Sequence, residues 1–122
     1  MSSPEQLVKW TTEYKKGFAK PFILLSLAKK TNYPYSLTRE INSLTKGQIA
    51  ITGSNIYPIL KDLVDEGLIN KEKVPKPSKR SDTAKKQYRS EYSLTKEGEE
   101  LIVDLKQSLK EFVDIITDFI EE

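Results

Sequence analysis

The 122 residues contain neither cysteine nor histidine. Disulfide bonds, thiolate metal sites, zinc fingers and catalysis by a cysteine or histidine side chain are therefore excluded. An enzyme would have to rely on carboxylates, and these concentrate on one side of the C-terminal segment, as on a solvated helix face. We therefore expect a protein that is not an enzyme and uses no cofactor and no metal.

Long apolar runs are also absent. No stretch of about 18 apolar residues occurs, so the sequence predicts no contact with a membrane interior. The first ten residues, MSSPEQLVKW, lack the apolar core of a signal peptide, and we expect a cytoplasmic location. A chain of this length is expected to form one domain.

The net charge of +2 conceals a strong separation of sign along the chain. Residues 69–92 carry eight basic and three acidic side chains, whereas residues 95–122 carry three basic and nine acidic ones. The middle of the chain therefore favours a polyanion such as double-stranded DNA, and the C-terminal segment avoids one. A lysine-rich loop that only keeps a surface soluble is the alternative, and charge alone does not decide between them.

The N-terminal part of the chain is predicted to be helical. Ser3, Pro4 and Glu5 resemble a helix start, and the apolar segment 18–30 is expected to be the central helix of the core. Pro21 lies within that segment, so residues 4–30 form either one bent helix or two.

Two shorter helices are predicted next. Ser36 is expected to cap a helix that ends near Gly47, and the short apolar segment 48–51 (QIAI) is expected to form a small first strand. Thr52 is expected to cap a second helix that Gly67 ends.

The segment 54–69, SNIYPILKDLVDEGLI, is the most informative part of the sequence. Its apolar residues recur on one helix face, while Ser54, Tyr57 and Lys61 share the opposite face. A strand over 69–74, a proline- and lysine-rich loop and a strand over 87–94 should follow. Helix, strand, basic loop and strand form a winged helix-turn-helix, in which the helix enters a major groove and the loop reaches phosphates.

Candidate DNA contacts follow from this arrangement. An asparagine can read adenine, a serine a base or a phosphate, and a lysine a guanine or a phosphate. Helix N-terminal amides suit a phosphate, although Thr52 could serve only as a cap, Tyr57 could be half-buried and Arg39 could be a solvated charge. The DNA-binding candidates are Thr52, Gly53, Ser54, Asn55, Tyr57, Lys61, Lys76, Lys79, Arg80, Lys85, Lys86 and Arg39.

The last segment, 95–122, is predicted to be one long helix capped by Thr95. Apolar residues recur along it at alternating spacings of three and four, as in a heptad repeat. They are Ile102, Leu105, Leu109, Phe112, Ile116 and Phe119. A helix of about 27 residues is about 40 Å long, more than a small domain covers, so part of this seam should pack on a second subunit.

Three segments resemble the PadR family of winged-helix transcriptional regulators. They are YPY at 33–35, NIYPIL at 55–60 continuing to EGLI at 66–69, and YSLTKEG at 92–98. The resemblance covers roughly residues 15–120, and the tyrosine-proline pair inside the recognition helix is its most specific part. It implies a homodimer joined through the C-terminal and N-terminal helices, bound to a palindromic operator, with repression as the commoner outcome.

The sequence departs from that family in three places. Pro34 replaces the usual glycine, and Ser90 and Glu91 close a long wing where basic residues are usual. The C-terminal helix has no tryptophan, which some relatives use to bind drugs, so a small aromatic effector is left open. Trp10 is expected to pack in the core or at a dimer interface.

The predicted fold is mainly α with a small β-hairpin wing, a winged helix-turn-helix with a long C-terminal dimerisation helix. Residues 1–94 should form the DNA-binding domain and residues 95–122 the dimerisation helix. The predicted function is sequence-specific regulation of transcription by a homodimer. An effector-free DNA-binding or architectural protein and a winged-helix adaptor for protein partners are the alternatives.

Overall fold

The computed structural model describes residues 3–76 and 87–122. Within these residues it contains five α-helices and one hairpin, in an order that confirms the predicted fold. The elements are α1 (Pro4–Lys15), a 3₁₀ turn (Lys16–Phe18), α2 (Ala19–Lys29), α3 (Pro34–Leu44), α4 (Ile56–Asp65), β1 (Ile69–Pro75), β2 (Tyr88–Leu94) and α5 (Lys96–Glu121). None of the described helices is long and apolar enough to cross a membrane.

The N-terminal segment forms two helices joined by the 3₁₀ turn. The Ser3 side chain accepts a hydrogen bond from the Gln6 N–H, and the Gln6 side chain returns one to the Ser3 N–H, which fixes the start of α1. Pro21 lies in the first turn of α2, where a missing N–H costs no intrahelical bond. The question left open by the sequence is thus answered in favour of two helices.

Helix α3 begins earlier than predicted. Pro34, not Ser36, starts the helix, since its fixed φ suits the first helical position. Tyr33 is the cap residue and makes no side-chain capping bond. The end of the helix agrees with the sequence, because Gly47 adopts a φ of 73° and its N–H donates to the Asn42 carbonyl at 2.8 Å.

The predicted strand over residues 48–51 is wrong. Its isoleucines, Ile49 and Ile51, are buried, but the segment is an irregular connection whose Ile51 carbonyl accepts a hydrogen bond from the Asn42 side chain. The residue that pairs with the hairpin is instead Asn32. Its N–H donates to the Tyr92 carbonyl at 3.0 Å, and its carbonyl accepts from the Tyr92 N–H at 2.7 Å. A short apolar run is thus as typical of a buried irregular segment as of a paired strand.

The hairpin is antiparallel and pairs Ile69 with Leu94 at its base and Pro75 with Tyr88 at its outer end. Gly67 ends α4 with a φ of 76°, as predicted. Thr95 begins α5, and its hydroxyl accepts from the Gly98 N–H at 3.0 Å and donates to the Gly67 carbonyl at 2.7 Å. The start of α5 is therefore fixed directly against the end of α4.

One core holds these elements together. It consists of Ile23, Leu24, Leu27, Leu37, Ile41, Ile49, Ile51, Ile56, Leu60, Leu63, Ile69, Tyr92 and Ile102. Residues of α2, α3, α4, both strands and the beginning of α5 thus share a single apolar interior. Helix α1 contributes no buried residue.

Candidate nucleic-acid interface

Helix α4 has one buried face and one open face. Ile56, Leu60 and Leu63 point into the core, which holds the helix against α2 and α3. On the open face Tyr57 is 58% exposed, so the half-buried alternative for this side chain does not hold. Lys61 is also exposed and pairs with Asp65 one turn later at 3.1 Å. Such an exposed pair contributes little, so Lys61 can exchange this partner for a base or a phosphate.

The turn that precedes α4 is built by Thr52 and Asn55. The Asn55 side-chain oxygen accepts from the Thr52 N–H at 2.7 Å, and the Thr52 hydroxyl accepts from the Asn55 N–H at 3.1 Å. The asparagine amide also donates to the Ala50 carbonyl at 3.2 Å. Both polar atoms of Asn55 therefore make local bonds, which a bidentate contact with adenine would have to replace.

The expectation that Thr52 caps α4 is wrong, because the cap residue is Asn55 and the Thr52 hydroxyl accepts from the Asn55 N–H in the preceding turn. Regular α-helix begins only at Ile56, whose N–H donates to the Thr52 carbonyl at 3.2 Å. Ser54 lies on the same exposed turn, and its hydroxyl is 3.1 Å from that of Thr52. A side chain on Gly53 would meet no heavy atom within 4 Å. The structure thus brings residues 52–57 together at one open end of the helix.

The remaining predicted DNA contacts are distributed around that end. Arg39 on α3 is exposed, and its guanidinium lies 5.6 Å from the centroid of the Tyr35 ring. Lys76 follows β1, and its N–H donates to the Gln87 carbonyl at 2.7 Å, which extends the hairpin by one step. The other wing candidates, Lys79, Arg80, Lys85 and Lys86, lie outside the described residues.

A cleft of about 610 Å³ opens between the outer end of the described hairpin and helices α3 and α4. We call it the wing cleft. Its aromatic and basic lining comprises Tyr33, Tyr35, Tyr57, Lys76, Tyr88 and Arg89. Only Tyr57 and Lys76 of these are among the DNA contacts predicted from the sequence. The other four could have been noticed as aromatic and basic residues clustered in YPY and in YRSEY.

Arg89 is the most constrained cation of this cleft. Its guanidinium lies 3.9 Å from the centroid of the Tyr33 ring, and its Nη2 donates to Glu91 at 3.2 Å. Beneath the cleft, burial and, to a smaller degree, the neighbouring Tyr57 raise the pKa of Tyr92 above its ordinary value. The tyrosine is therefore a neutral part of the core and leaves the positive charge of the cleft to Arg89 and Lys76.

The seam of α5 is divided between core and solvent. Ile102 is buried and Leu105 packs against the core, as one half of the prediction requires. Phe112, Ile116 and Phe119 are exposed, and Phe119 exposes 78% of its surface. Trp10 on α1 is 73% exposed, so it is not a core residue of this chain.

The comparisons with known proteins agree with this geometry. The profile of the PadR-like family of transcriptional regulators matches residues 23–104. A Thermoplasma acidophilum protein assigned as a transcriptional regulator is 28% identical, with a TM-score of 0.69, over 88% of this chain and 94% of that one. A PadR-like regulator from Bacillus cereus is 25% identical, with a TM-score of 0.69, over 88% and 95%.

A PadR family regulator from Eggerthella lenta supports the fold alone, since it is only 21% identical at a TM-score of 0.70, over 96% of this chain and 94% of that one. No curated protein matches the chain significantly. The family profile nevertheless covers most of α2, the whole of α3 and α4, the described hairpin and the start of α5. The chain belongs to the PadR-like family of transcriptional regulators, which are DNA-binding winged-helix proteins.

Proposed function

We propose that the protein is a homodimeric repressor that recognises a palindromic operator. The observation that carries this proposal is the two-sided build of α4, with a face buried in the core and a face that presents Tyr57 and Lys61 beside the wing hairpin. A rigidly held helix with an exposed polar face can enter a major groove without disturbing the core.

Base reading falls to the open end and face of α4 in this proposal. Ser54, Tyr57 and Lys61 are exposed there, and their polar atoms are less committed than those of Asn55. Asn55 and Thr52 instead hold the turn that places these residues. Lys76 and the basic residues of the wing would bind phosphates, which fix the orientation of the protein on the duplex.

The uncovered apolar side chains support a dimer. Leu7 and Trp10 on α1 are exposed, as are Phe112 and Phe119 on the outer half of α5. Burying a large apolar side chain contributes about 1.5–3 kcal/mol, so a second chain that covers both helices would gain substantial stability. A two-fold dimer would present two α4 helices to half-sites about 34 Å apart, one turn of DNA.

Binding to DNA from the region upstream of its own gene tests the proposal. Lys61→Gln should weaken binding to the preferred sequence more than binding to random DNA, because a base contact is lost along with a charge. Lys106→Gln is the matched control, since it removes the same charge from an exposed position on α5. Light scattering on the same samples should report a dimer.

Two outcomes would contradict the proposal in different ways. Equal affinity for all sequences at moderate salt would favour an architectural protein, and no DNA binding would favour an adaptor for protein partners. If the protein binds its operator as a monomer with undiminished sequence preference, the proposed recognition of a palindromic operator is wrong.

An aromatic effector is a separate proposal that rests on Trp10. The indole lies beside Leu7 and Tyr14 on α1. Because the proposed dimer covers these side chains, a flat aromatic ligand would have to stack within the interface. Titration with phenolic and cationic aromatic compounds should change the Trp10 fluorescence if an effector binds there. Intact DNA binding without any response would favour the effector-free alternative.

A further inference from the structure

The wing cleft contains a preformed arginine that the proposed base contacts do not use. The Arg89 guanidinium is held between the Tyr33 ring at 3.9 Å and the Glu91 carboxylate at 3.2 Å. Its Nε is buried and has no hydrogen-bond partner among the described residues. A long side chain fixed in this way loses little further rotamer freedom when it binds an anion.

The position of Tyr33 is itself fixed by the fold. Asn32 pairs with Tyr92 of β2 through both backbone hydrogen bonds, and its side-chain oxygen accepts from the Tyr33 N–H at 2.9 Å. Tyr33, which stacks on Arg89, is therefore the residue directly after one that is paired to β2 by backbone hydrogen bonds. Both residues of the Arg89–Tyr33 stack lie in the described part of the fold, outside the wing loop.

The rest of the cleft supplies hydrogen-bond donors. Lys76 brings a second positive charge, and the exposed Tyr57 and Tyr88 each carry a hydroxyl. The first turn of α3 also faces this region, where the Tyr35 N–H has no acceptor within its own helix. Glu91 bonds to one nitrogen of Arg89, and none of the described residues that line the cleft is acidic. The balance of charge and donors favours a phosphate oxygen.

We propose that the wing cleft binds one phosphate of the DNA backbone through Arg89, near the outer end of the described hairpin and next to α4. This inference rests on the proposed function, because it assigns a further contact to the same complex. Tyr57 belongs to both surfaces, so a phosphate held in the cleft would set the register in which α4 meets the bases. Arg89 is thus a DNA-binding residue that acts separately from the basic wing loop.

The salt dependence of DNA affinity tests the contact. Arg89→Gln should lower the slope of log K against log salt by about 0.9 per phosphate, hence about 1.8 for a dimer with two clefts. Lys106→Gln should leave the slope unchanged. If Arg89→Gln also leaves it unchanged while the wild-type protein binds its operator, the inference is wrong and the proposed function stands. If the wild type binds no DNA, both fall.

Neutral backbone substitutions identify the phosphate itself. A set of operators, each with one methylphosphonate per half-site, should reveal a position at which the wild type loses affinity and Arg89→Gln loses none. If every position weakens both proteins equally, no phosphate depends on Arg89 and the inference is overturned. A titration of the DNA-free protein with inorganic phosphate, monitored by the NMR signal of the Arg89 Nε–H, tests whether the cleft binds a free anion and not a DNA phosphate. A saturable shift there, without the backbone effect, would assign the cleft to a small phosphorylated ligand instead.

Variants of the stack separate charge from geometry. Arg89→Lys keeps the charge, so it should keep the salt slope while lowering affinity, because lysine lacks the planar group that stacks on Tyr33. Tyr33→Leu and Arg89→Gln should be non-additive in DNA affinity if the ring acts through the arginine. Full additivity, with thermal unfolding unchanged in both variants, would show that the stack does not position Arg89 for DNA.

Discussion

Helices α1 and α2 are adjacent in sequence and of similar length, 12 and 11 residues, yet their surroundings are opposite. Ile23, Leu24 and Leu27 of α2 are buried, whereas α1 has no buried residue although it carries Leu7 and Trp10. One chain therefore forms the complete core of the winged helix, whereas the apolar side chains of α1 stay exposed. Apolar content alone does not determine which helix belongs to the core.

The same contrast occurs within α5. Ile102 near its start is 5% exposed, and Phe119 near its end is 78% exposed, although both belong to one heptad seam. The stability of the core should depend only on the chain itself. If the protein forms the proposed dimer, the stability gained by the outer half of α5 should depend on protein concentration, because the second chain supplies it.

The largest expected effect is that of Leu60→Ala. Leu60 is fully buried at the centre of the core, so its truncation should lower the free energy of unfolding by about 3 kcal/mol. Urea unfolding at a low and a high protein concentration should give the same loss. A loss that disappears at high concentration would show that the second chain also supports this core.

Gly98→Ala should be slightly less damaging. A Cβ at Gly98 would lie 2.1 Å from the carbonyl oxygen of Leu68, which joins α4 to β1, so α5 would have to move away from this connection at a cost of about 2 kcal/mol. Gly17→Ala is the matched control, because nothing lies within 4 Å of a Cβ there. Equal unfolding midpoints for the two variants would contradict the close packing of α5 on the core.

Phe119→Ala should act on the dimer and leave the core intact. Losing one covered aromatic ring should cost about 2 kcal/mol per chain. Because the dimer contains two such rings, its free energy of dissociation should fall by about 4 kcal/mol, which is roughly a thousand-fold rise in the dissociation constant. Leu44→Ala, also an exposed apolar residue but on α3, should leave that constant unchanged. Sedimentation equilibrium measures both. A Phe119→Ala protein that dimerises normally would place the interface elsewhere.

The fold was predictable where local signals repeat. The heptad seam, the Thr95 cap and Gly67 each fix a boundary through residues near in sequence, and the structure confirms those boundaries. The strand predicted at 48–51 failed because burial of Ile49 and Ile51 produces the same apolar pattern as strand pairing. Pro34 moved the start of α3 because a proline fits the first helical position.

The candidate interface was less predictable than the fold. Arg89 and Tyr33 are far apart in sequence and meet because the backbone of Asn32 pairs with that of Tyr92. No local sequence pattern predicts this pairing. The local bonds of Asn55 were equally hidden, since its residue type suits both a base contact and a turn. The DNA contacts proposed for the wing residues between 77 and 86 rest on sequence alone.

The smallest expected effect concerns Tyr92 at high pH. It tests how far the core that one chain forms by itself extends along β2. Burial raises the pKa of Tyr92, so above about pH 10 the unfolded chain gives up this proton more readily than the folded chain. The unfolded state then binds fewer protons, and the free energy of unfolding falls as the pH rises. Lysines titrate in the same range, so the comparison must be made with Tyr92→Phe, which should show a shallower fall at every protein concentration. Parallel pH profiles for the two proteins would mean that Tyr92 is as solvated as an ordinary tyrosine, and the core would then end before the middle of β2.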